Sequence, residues 1–238
     1  MIYVVGLGPG HGGMRTADAT RALERAGIIV GYSVYVDLIR REFPEKEFYE
    51  NGMRGEVERC REALRLSRAG KTVAVVCSGD ASIYGMASLV LELSEEQDEV
   101  VIVPGVTAAL AASAALGTPL AGDMAIVSLS DLLTPWETIQ KRLEAAAMGD
   151  FPIALYNPAS KKRADYLARA TEILLARLPG STPCGWVRNI AREGQAQGVT
   201  TLGKLAELPA DMFTTVIVGN SETVERNGRL LTPRGYRK

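Results

Sequence analysis

Apolar residues fall into short β-rich runs separated by amphipathic stretches, an alternation that predicts repeated βα units. Residues 2–5 form a run suited to a fully buried parallel strand, ending on Gly6. A helix is predicted over 16–26, with Thr16 as N-cap and Gly27 just past its end. A strand follows at 28–30. Val57, Cys60, Leu64 and Ser67 recur at helical spacing on a helix that stops near Gly70. Strand 72–77, helix 85–94, strand 100–103 and an Ala-rich helix over 107–116 complete a first set. Strands alternating with helices give a mostly parallel sheet.

A second set begins near Met124: strand 125–129, helix 136–147, strand 153–156, helix 160–178, strand 185–187, and strands near 199–202 and 214–218. Turn-rich segments such as ALGTPLAGD and REGQAQGVT interrupt it, which predicts mixed strand directions. The fold class is therefore α/β, as two domains over 1–120 and 124–238 joined by a short Gly/Pro-containing linker at 120–123. The terminal TPRGYRK is basic and expected to be exposed.

Four short turns follow hydrophobic runs: GLGPG at Gly6–Gly10, SGDASIYG at Ser78–Gly85, PGVTA at Pro104–Ala108 and LYNPASKKR at Leu155–Arg163. Strands that end in Gly, Pro, Asp or Asn leave backbone donors and acceptors at the carboxyl edge of a sheet, where α/β proteins bind small molecules. Together the turns suggest one large ligand cleft. A dinucleotide fingerprint does not fit: the third glycine position holds His11, Pro9 removes a backbone donor, and no acid ends the second strand.

Charge alters the picture only locally. A net charge of −1, with both signs interspersed, leaves no broad footprint for nucleic acid. Cys60, Cys77 and Cys184 are odd in number and widely spaced, so neither a disulfide framework nor a metal site is expected, and a cytoplasmic setting follows. The start MIYVVGLGPG shows no basic leader, and the Ala-rich stretch 106–121 is broken by Gly117 and Pro119; a soluble, membrane-free chain is expected.

Candidate chemistry sits on the turns. Asp80 is placed either to cap a helix or to hold a ligand hydroxyl or amine. Thr107 and Ala108 are small enough for close backbone approach, and Asn157 either donates and accepts toward a ligand or simply closes an Asx turn before Pro158. His11 is the only histidine, a solvated loop residue or a proton carrier. Lys161, Lys162 and Arg163 at a helix start oppose the macrodipole, which points to an anionic partner. Ser130 and Asp131 follow a strand end, where Asp131 alternatively starts the next helix.

In this order, GLGPG, Gly79-Asp80, PGVTA and the Tyr156-Asn157 turn resemble the tetrapyrrole methylases, S-adenosylmethionine enzymes that modify porphyrinoid rings. The segments IVGYSVYVDLI, SGDASIYGMA, LSDLLTPWE, ALYNPASKKR, TTVIVGN and TPRGY resemble more narrowly the branch that methylates C-17 of precorrin-3B, or of cobalt-factor III, and contracts the ring in cobalamin biosynthesis. The resemblance covers nearly the whole chain. It implies two domains of the class III methyltransferase type, S-adenosyl-L-methionine as cofactor between them, and a homodimer. The donor is implied to meet Pro9, Ser78, Gly79, Asp80, Ile83, Thr107 and Ala108, then Tyr156, Asn157, Asn189, Ile190, Thr214 and Thr215. The macrocycle is implied to lie along the glycine loop with Gly8 and Gly10, near Ser130, its carboxylates drawn by Lys161, Lys162 and Arg163. His11 and Asp131 are candidate proton carriers for ring contraction, although many members carry an acid where this chain has His11. A sister methylase acting on another ring carbon, a ribosomal RNA methylase of the same fold and a non-catalytic carrier are the competing expectations.

Overall fold

The computed structural model describes residues 1–160 and 164–236. Contacts divide the chain into Met1–Ala108 and Ala109–Lys238. The first unit runs β1 (Ile2–Gly6), α1 (Ala17–Arg25), β2 (Ile28–Tyr32), α2 (Ser33–Val36), β3 (Glu47–Asn51), α3 (Glu56–Arg68), β4 (Val73–Cys77), α4 (Ala87–Leu93) and β5 (Val100–Val103). Its five strands are all parallel, in the order β3-β2-β4-β1-β5.

Burial on both faces explains the unbroken apolar runs. Ile2, Val4, Ile28, Val30, Val73 and Val75 pack against Cys60, Ala63 and Leu64 of α3 and Ala87 and Val90 of α4. The alternate residues Tyr3, Val5, Ile29, Ala74 and Val76 pack against Ala19, Ala22 and Leu23 of α1. From β1 the chain crosses to β2 past β4, and from β4 it crosses back past β1 to β5. The adjacent strands β1 and β4 therefore send their connections in opposite directions, and their carboxyl ends form the crevice of a topological switch point.

The second unit comprises α5 (Ala108–Leu116, which begins on the last residue of the first unit), β6 (Gly117–Thr118), β7 (Ala125–Ser128), α6 (Trp136–Met148), β8 (Ile153–Tyr156), α7 (Tyr166–Leu175), β9 (Pro183–Arg188), β10 (Ala196–Thr201), β11 (Thr214–Val218), β12 (Val224–Arg226) and β13 (Arg229–Leu231). Its main sheet has the order β10-β9-β11-β8-β7, with β7 parallel to β8 and the other neighbours antiparallel. Leu143, Leu155, Leu174 and Val216 centre the core between this sheet, α6 and α7.

The division falls ahead of the expected linker at 120–123. Leu116 closes on Gly185, where a Cβ would stand 2.7 Å from the Leu116 side chain, and β6 pairs with β13, so α5 belongs largely to the second unit. The hairpin β12–β13 was also unanticipated. Asn227 and Gly228 both take positive φ (54° and 73°), the requirement of a tight primed turn between strands. The terminal segment is not wholly exposed: Thr232 is buried and its hydroxyl donates to the Pro119 carbonyl at 2.7 Å. Helix α7 is shorter than the 160–178 expected, starting at Tyr166 and ending at Leu175, with Pro179 close behind.

Burial pushes the thiols of Cys60 and Cys77 up to about 11 and that of Cys184 to about 12, so all three are neutral core sulfurs. No helix among the described residues is long and apolar enough to cross a membrane.

Between α4 and β5, Asp98 ties the first unit together. Arg68 donates to it through Nε at 2.9 Å and Nη2 at 2.6 Å, and the Glu95 N–H donates at 2.8 Å. Chiefly through the Arg68 hydrogen bonds, its carboxyl is held at about 2, below the ordinary value near 4. A depressed carboxyl stabilises the fold above the unfolded value and loses that contribution as pH falls through the folded one. Asp98→Asn is therefore expected to be less stable than the parent at pH 7, with the gap in urea midpoint closing between about pH 5 and pH 2. A gap that stays constant with pH contradicts this role.

Candidate functional site

In the first unit, three strand ends meet through main chain alone. The Leu7 N–H donates to the Cys77 carbonyl at 2.9 Å. Gly8 and Gly79 then form an isolated antiparallel bridge, with Gly8 N–H to Gly79 O at 3.0 Å and Gly79 N–H to Gly8 O at 2.8 Å. Gly105 seals the third side: a Cβ there would stand 2.2 Å from the Gly79 oxygen and 2.6 Å from the Gly6 oxygen. Only a residue without Cβ lets the backbones approach this closely.

Asp80 locks the arrangement. Its Oδ1 accepts the N–H groups of Ser82 (2.7 Å) and Ile83 (3.2 Å), while Oδ2 accepts the Gly105 N–H at 2.9 Å. The carboxylate thus serves the loop and its neighbour, rather than only capping a helix. Beside it, Pro9, Gly10 and Thr107 are buried, Ser78 and Ala108 are half-buried, and Ile83 is exposed. The Thr16 hydroxyl, besides capping α1, donates to the Pro104 carbonyl at 3.1 Å. His11 is exposed, and its Nδ1 accepts the Gly13 N–H at 3.1 Å, which leaves Nε2 as the ring's protonated nitrogen in the neutral form. Arg15, paired with Glu42 at 2.5 Å, holds the far end of this glycine loop.

In the second unit, register brings the predicted residues to one sheet edge. Ser128 lies opposite Tyr156 on β7 and β8, Thr214 opposite Arg188 on β11 and β9, and β7, β8 and β9 all end there. Asn157 and Asn189 follow the ends of β8 and β9 with φ of 52° and 51°, a left-handed turn that costs about 1 kcal/mol for a residue with a side chain. The Asn157 amide donates to the Ser128 hydroxyl at 3.0 Å, and Ser130 N–H donates to the same oxygen at 3.2 Å. The Ala109 N–H, at the start of α5, donates to the Tyr156 hydroxyl at 2.7 Å. The Thr214 hydroxyl donates to Asp211 at 2.9 Å; Thr214, Thr215 and Ile190 are buried. Tyr166 donates its hydroxyl to Asp131, so that acid anchors the loop after β7.

Lys161, Lys162 and Arg163 lie outside the described residues. Gly8, Pro9, Gly10, His11, Ser78, Gly79, Asp80, Ile83, Thr107 and Ala108 gather on the edge of the first unit, and Ser130, Asp131, Tyr156, Asn157, Asn189, Ile190, Thr214 and Thr215 on that of the second. Sequence reasoning missed Ser128, the shared acceptor under Asn157, and Arg188, whose Nε is buried without a partner among the described residues. A lone Arg or Ser at a strand end gives no periodic signal. Both edges offer main-chain groups, hydroxyls and amides rather than a dense set of acids and bases. Such surroundings suit a ligand that brings its own reactive group.

Residues 1–206 match the family model described as tetrapyrrole (corrin/porphyrin) methylases. The chain is 46% identical over 239 residues to a Salmonella typhimurium protein named as a probable cobalt-factor III C(17)-methyltransferase, covering 99% of each. It is 40% identical over 246 residues to a Sinorhizobium precorrin-3B C(17)-methyltransferase, covering 99% of this chain and 96% of that one. Among solved structures, the methyltransferase CobJ superposes with a TM-score of 0.91 at 39% identity, over 98% of this chain and 99% of the other. The strand-end glycines, the parallel and mixed sheets and the end-to-end match lead to one conclusion: the chain belongs to the tetrapyrrole methylases.

Proposed function

We propose that this chain is an S-adenosyl-L-methionine-dependent methyltransferase that methylates C-17 of a cobalamin-pathway tetrapyrrole and contracts its ring. The substrate is cobalt-factor III, which gives cobalt-precorrin-4 with two electrons from an external reductant, or precorrin-3B, giving precorrin-4. The observation that carries this reading is the match over 99% of this chain, and over 99% and 96% of the two relatives, to proteins named for that reaction. In the same reading the enzyme is a cytoplasmic homodimer with no nucleic-acid or membrane partner.

The residues present fit the donor. Gly79 leaves open space where a Cβ would meet nothing nearer than 3.7 Å, beside buried Thr107 and half-buried Ser78, and this main-chain edge suits an adenosyl group. Pro9, Ser78, Gly79, Asp80, Ile83, Thr107 and Ala108 hold it from the first unit; Tyr156, Asn157, Asn189, Ile190, Thr214 and Thr215 contribute from the second. Asp80, Tyr156 and Thr214 act mainly by fixing loops, because their polar atoms already engage the backbone or Asp211. When bound, the donor supplies an activated methyl group whose leaving thioether is neutral, so transfer needs little acid–base assistance. The protein's task is alignment of carbon, methyl and sulfur, worth roughly 7–11 kcal/mol in well-oriented systems.

Gly8, Gly10 and Ser130 border the macrocycle, and Lys161, Lys162 and Arg163 draw its carboxylates. Ring contraction requires proton movement. His11 is the better carrier, since its Nε2 is not engaged by the Gly13 contact, whereas Asp131 is tied to Tyr166.

Anaerobic incubation with methyl-labelled donor and either substrate should yield a product carrying one added methyl group by mass analysis. Absence of label in both products removes the proposed function. In His11→Ala, contraction is expected to slow about a hundredfold or more relative to methyl incorporation; equal rates for the two steps in the variant and the parent remove that assignment. Gly105→Ala forces a Cβ against the Gly79 oxygen. It is expected to weaken S-adenosylhomocysteine binding at least tenfold by calorimetry and to cost about 1–3 kcal/mol of stability. Unchanged affinity would detach the interlocked turns from the donor.

A further inference from the structure

We propose that Arg169, together with Leu132 and Leu133, recognises a carboxylate arm and the adjoining apolar ring edge of the macrocyclic substrate; this rests on the function proposed above.

Tyr166 and Arg169 are three residues apart on α7 and therefore share a face. The Arg169 guanidinium carbon lies 3.9 Å from the centre of the Trp136 ring and 5.1 Å from that of Tyr166. Those two rings are themselves packed at 4.8 Å. Attraction between the cation and the ring faces holds the guanidinium in place. It leaves the N–H fork without a carboxylate: among the described residues Arg169 forms no ion pair, whereas Arg15, Arg40, Arg59, Arg65 and Arg68 each have at least one. A guanidinium pre-positioned on aromatic rings loses little freedom when it binds a carboxylate through both N–H groups.

Next to this stack runs the loop from Leu129 to Pro135, which connects β7 to α6. It is pinned at Leu129, whose N–H donates to the Tyr156 carbonyl at 2.9 Å, at Ser130 through Ser128, and at Asp131 through the Tyr166 hydroxyl. Despite these anchors, Leu132 is 57% exposed and Leu133 93% exposed. Burying a leucine side chain is worth about 1.5–3 kcal/mol, so two adjacent leucines presented on a pinned loop form a contact surface for an apolar partner. Trp136 and Tyr166 begin their helices at the sheet edge that also carries Asn157 and Asn189. A held cation beside an apolar lip matches one ligand chemistry: a flat, apolar ring bearing carboxylate arms.

The test is an anaerobic titration of the chain with cobalt-factor III and with precorrin-3B, beside calorimetry with S-adenosylhomocysteine. Arg169→Gln is expected to weaken binding of the tetrapyrrole about ten- to a hundredfold, the range for losing a charged hydrogen-bonding partner. Its affinity for S-adenosylhomocysteine should be unchanged, which also reports that the variant is folded. Arg169→Lys, which keeps the charge but not the fork, should fall between the two, and added salt should narrow the difference between parent and Arg169→Gln. Leu133→Ser should raise KM severalfold with kcat retained. Tetrapyrrole affinity unchanged in Arg169→Gln overturns the proposal. So does a Leu133→Asp variant that alters oligomeric state while leaving that affinity intact, because the lip then belongs to a second copy of the chain. A parent chain that binds neither tetrapyrrole fails at the proposed function, and this site falls with it.

Discussion

Everything at the functional edge of the first unit depends on backbone approaching backbone. Gly8 and Gly79 exchange two hydrogen bonds, and Gly105 stands where a Cβ would lie 2.2 Å from the Gly79 oxygen. A Cβ at Gly6 or Gly105 would separate the strand ends. Asp80 converts the approach into a fixed arrangement by accepting three main-chain N–H groups from two loops. Charge-assisted bonds of this kind are roughly twice as strong as neutral ones. The result is a floor built of main chain at the switch point between β1 and β4, with little to reorganise when a ligand arrives.

The second unit reaches a comparable end by other means. Its sheet is mixed, so register rather than parallel winding brings Ser128, Tyr156, Arg188 and Thr214 to one edge. Two asparagines in left-handed conformation turn the chain there, and side-chain contacts hold the flanking loops: Asn157 on Ser128, Tyr166 on Asp131, Thr214 on Asp211. Strained, hydrogen-bonded turns of this kind persist where the surroundings over-determine them, and they concentrate at binding sites.

Much of this was legible because parallel strands buried on both faces read as unbroken apolar runs. β1, β4 and β5 were visible as such, and the glycine-centred turns after them marked the edge. The mixed character of the second sheet followed from turn-rich interruptions. What escaped was structure without periodic signal. β3 (Glu47–Asn51) mixes charge with Phe48 and Tyr49 at a sheet border, and α2 is only four residues long. The β12–β13 hairpin carries the Asn227-Gly228 turn signal, but its strands of three residues each are too short to show an alternating pattern. The split near Ala108, rather than at 120–123, depends on Leu116 and Gly117 meeting residues far along the chain. Asp80 was placed correctly on its turn, but its three amide partners, one of them on another loop, arise only on folding. The same holds for Arg169, whose ring partners include a residue on a different helix.

A site rich in main-chain contacts and poor in clustered acids and bases suits the proposed transfer of a methyl group from a donor that is already activated. The most direct measurement is carbon-13 NMR of the product formed from methyl-labelled S-adenosyl-L-methionine and cobalt-factor III or precorrin-3B. The account predicts a single enriched methyl resonance correlated with C-17 of a contracted ring. Enrichment at a different ring carbon would contradict it.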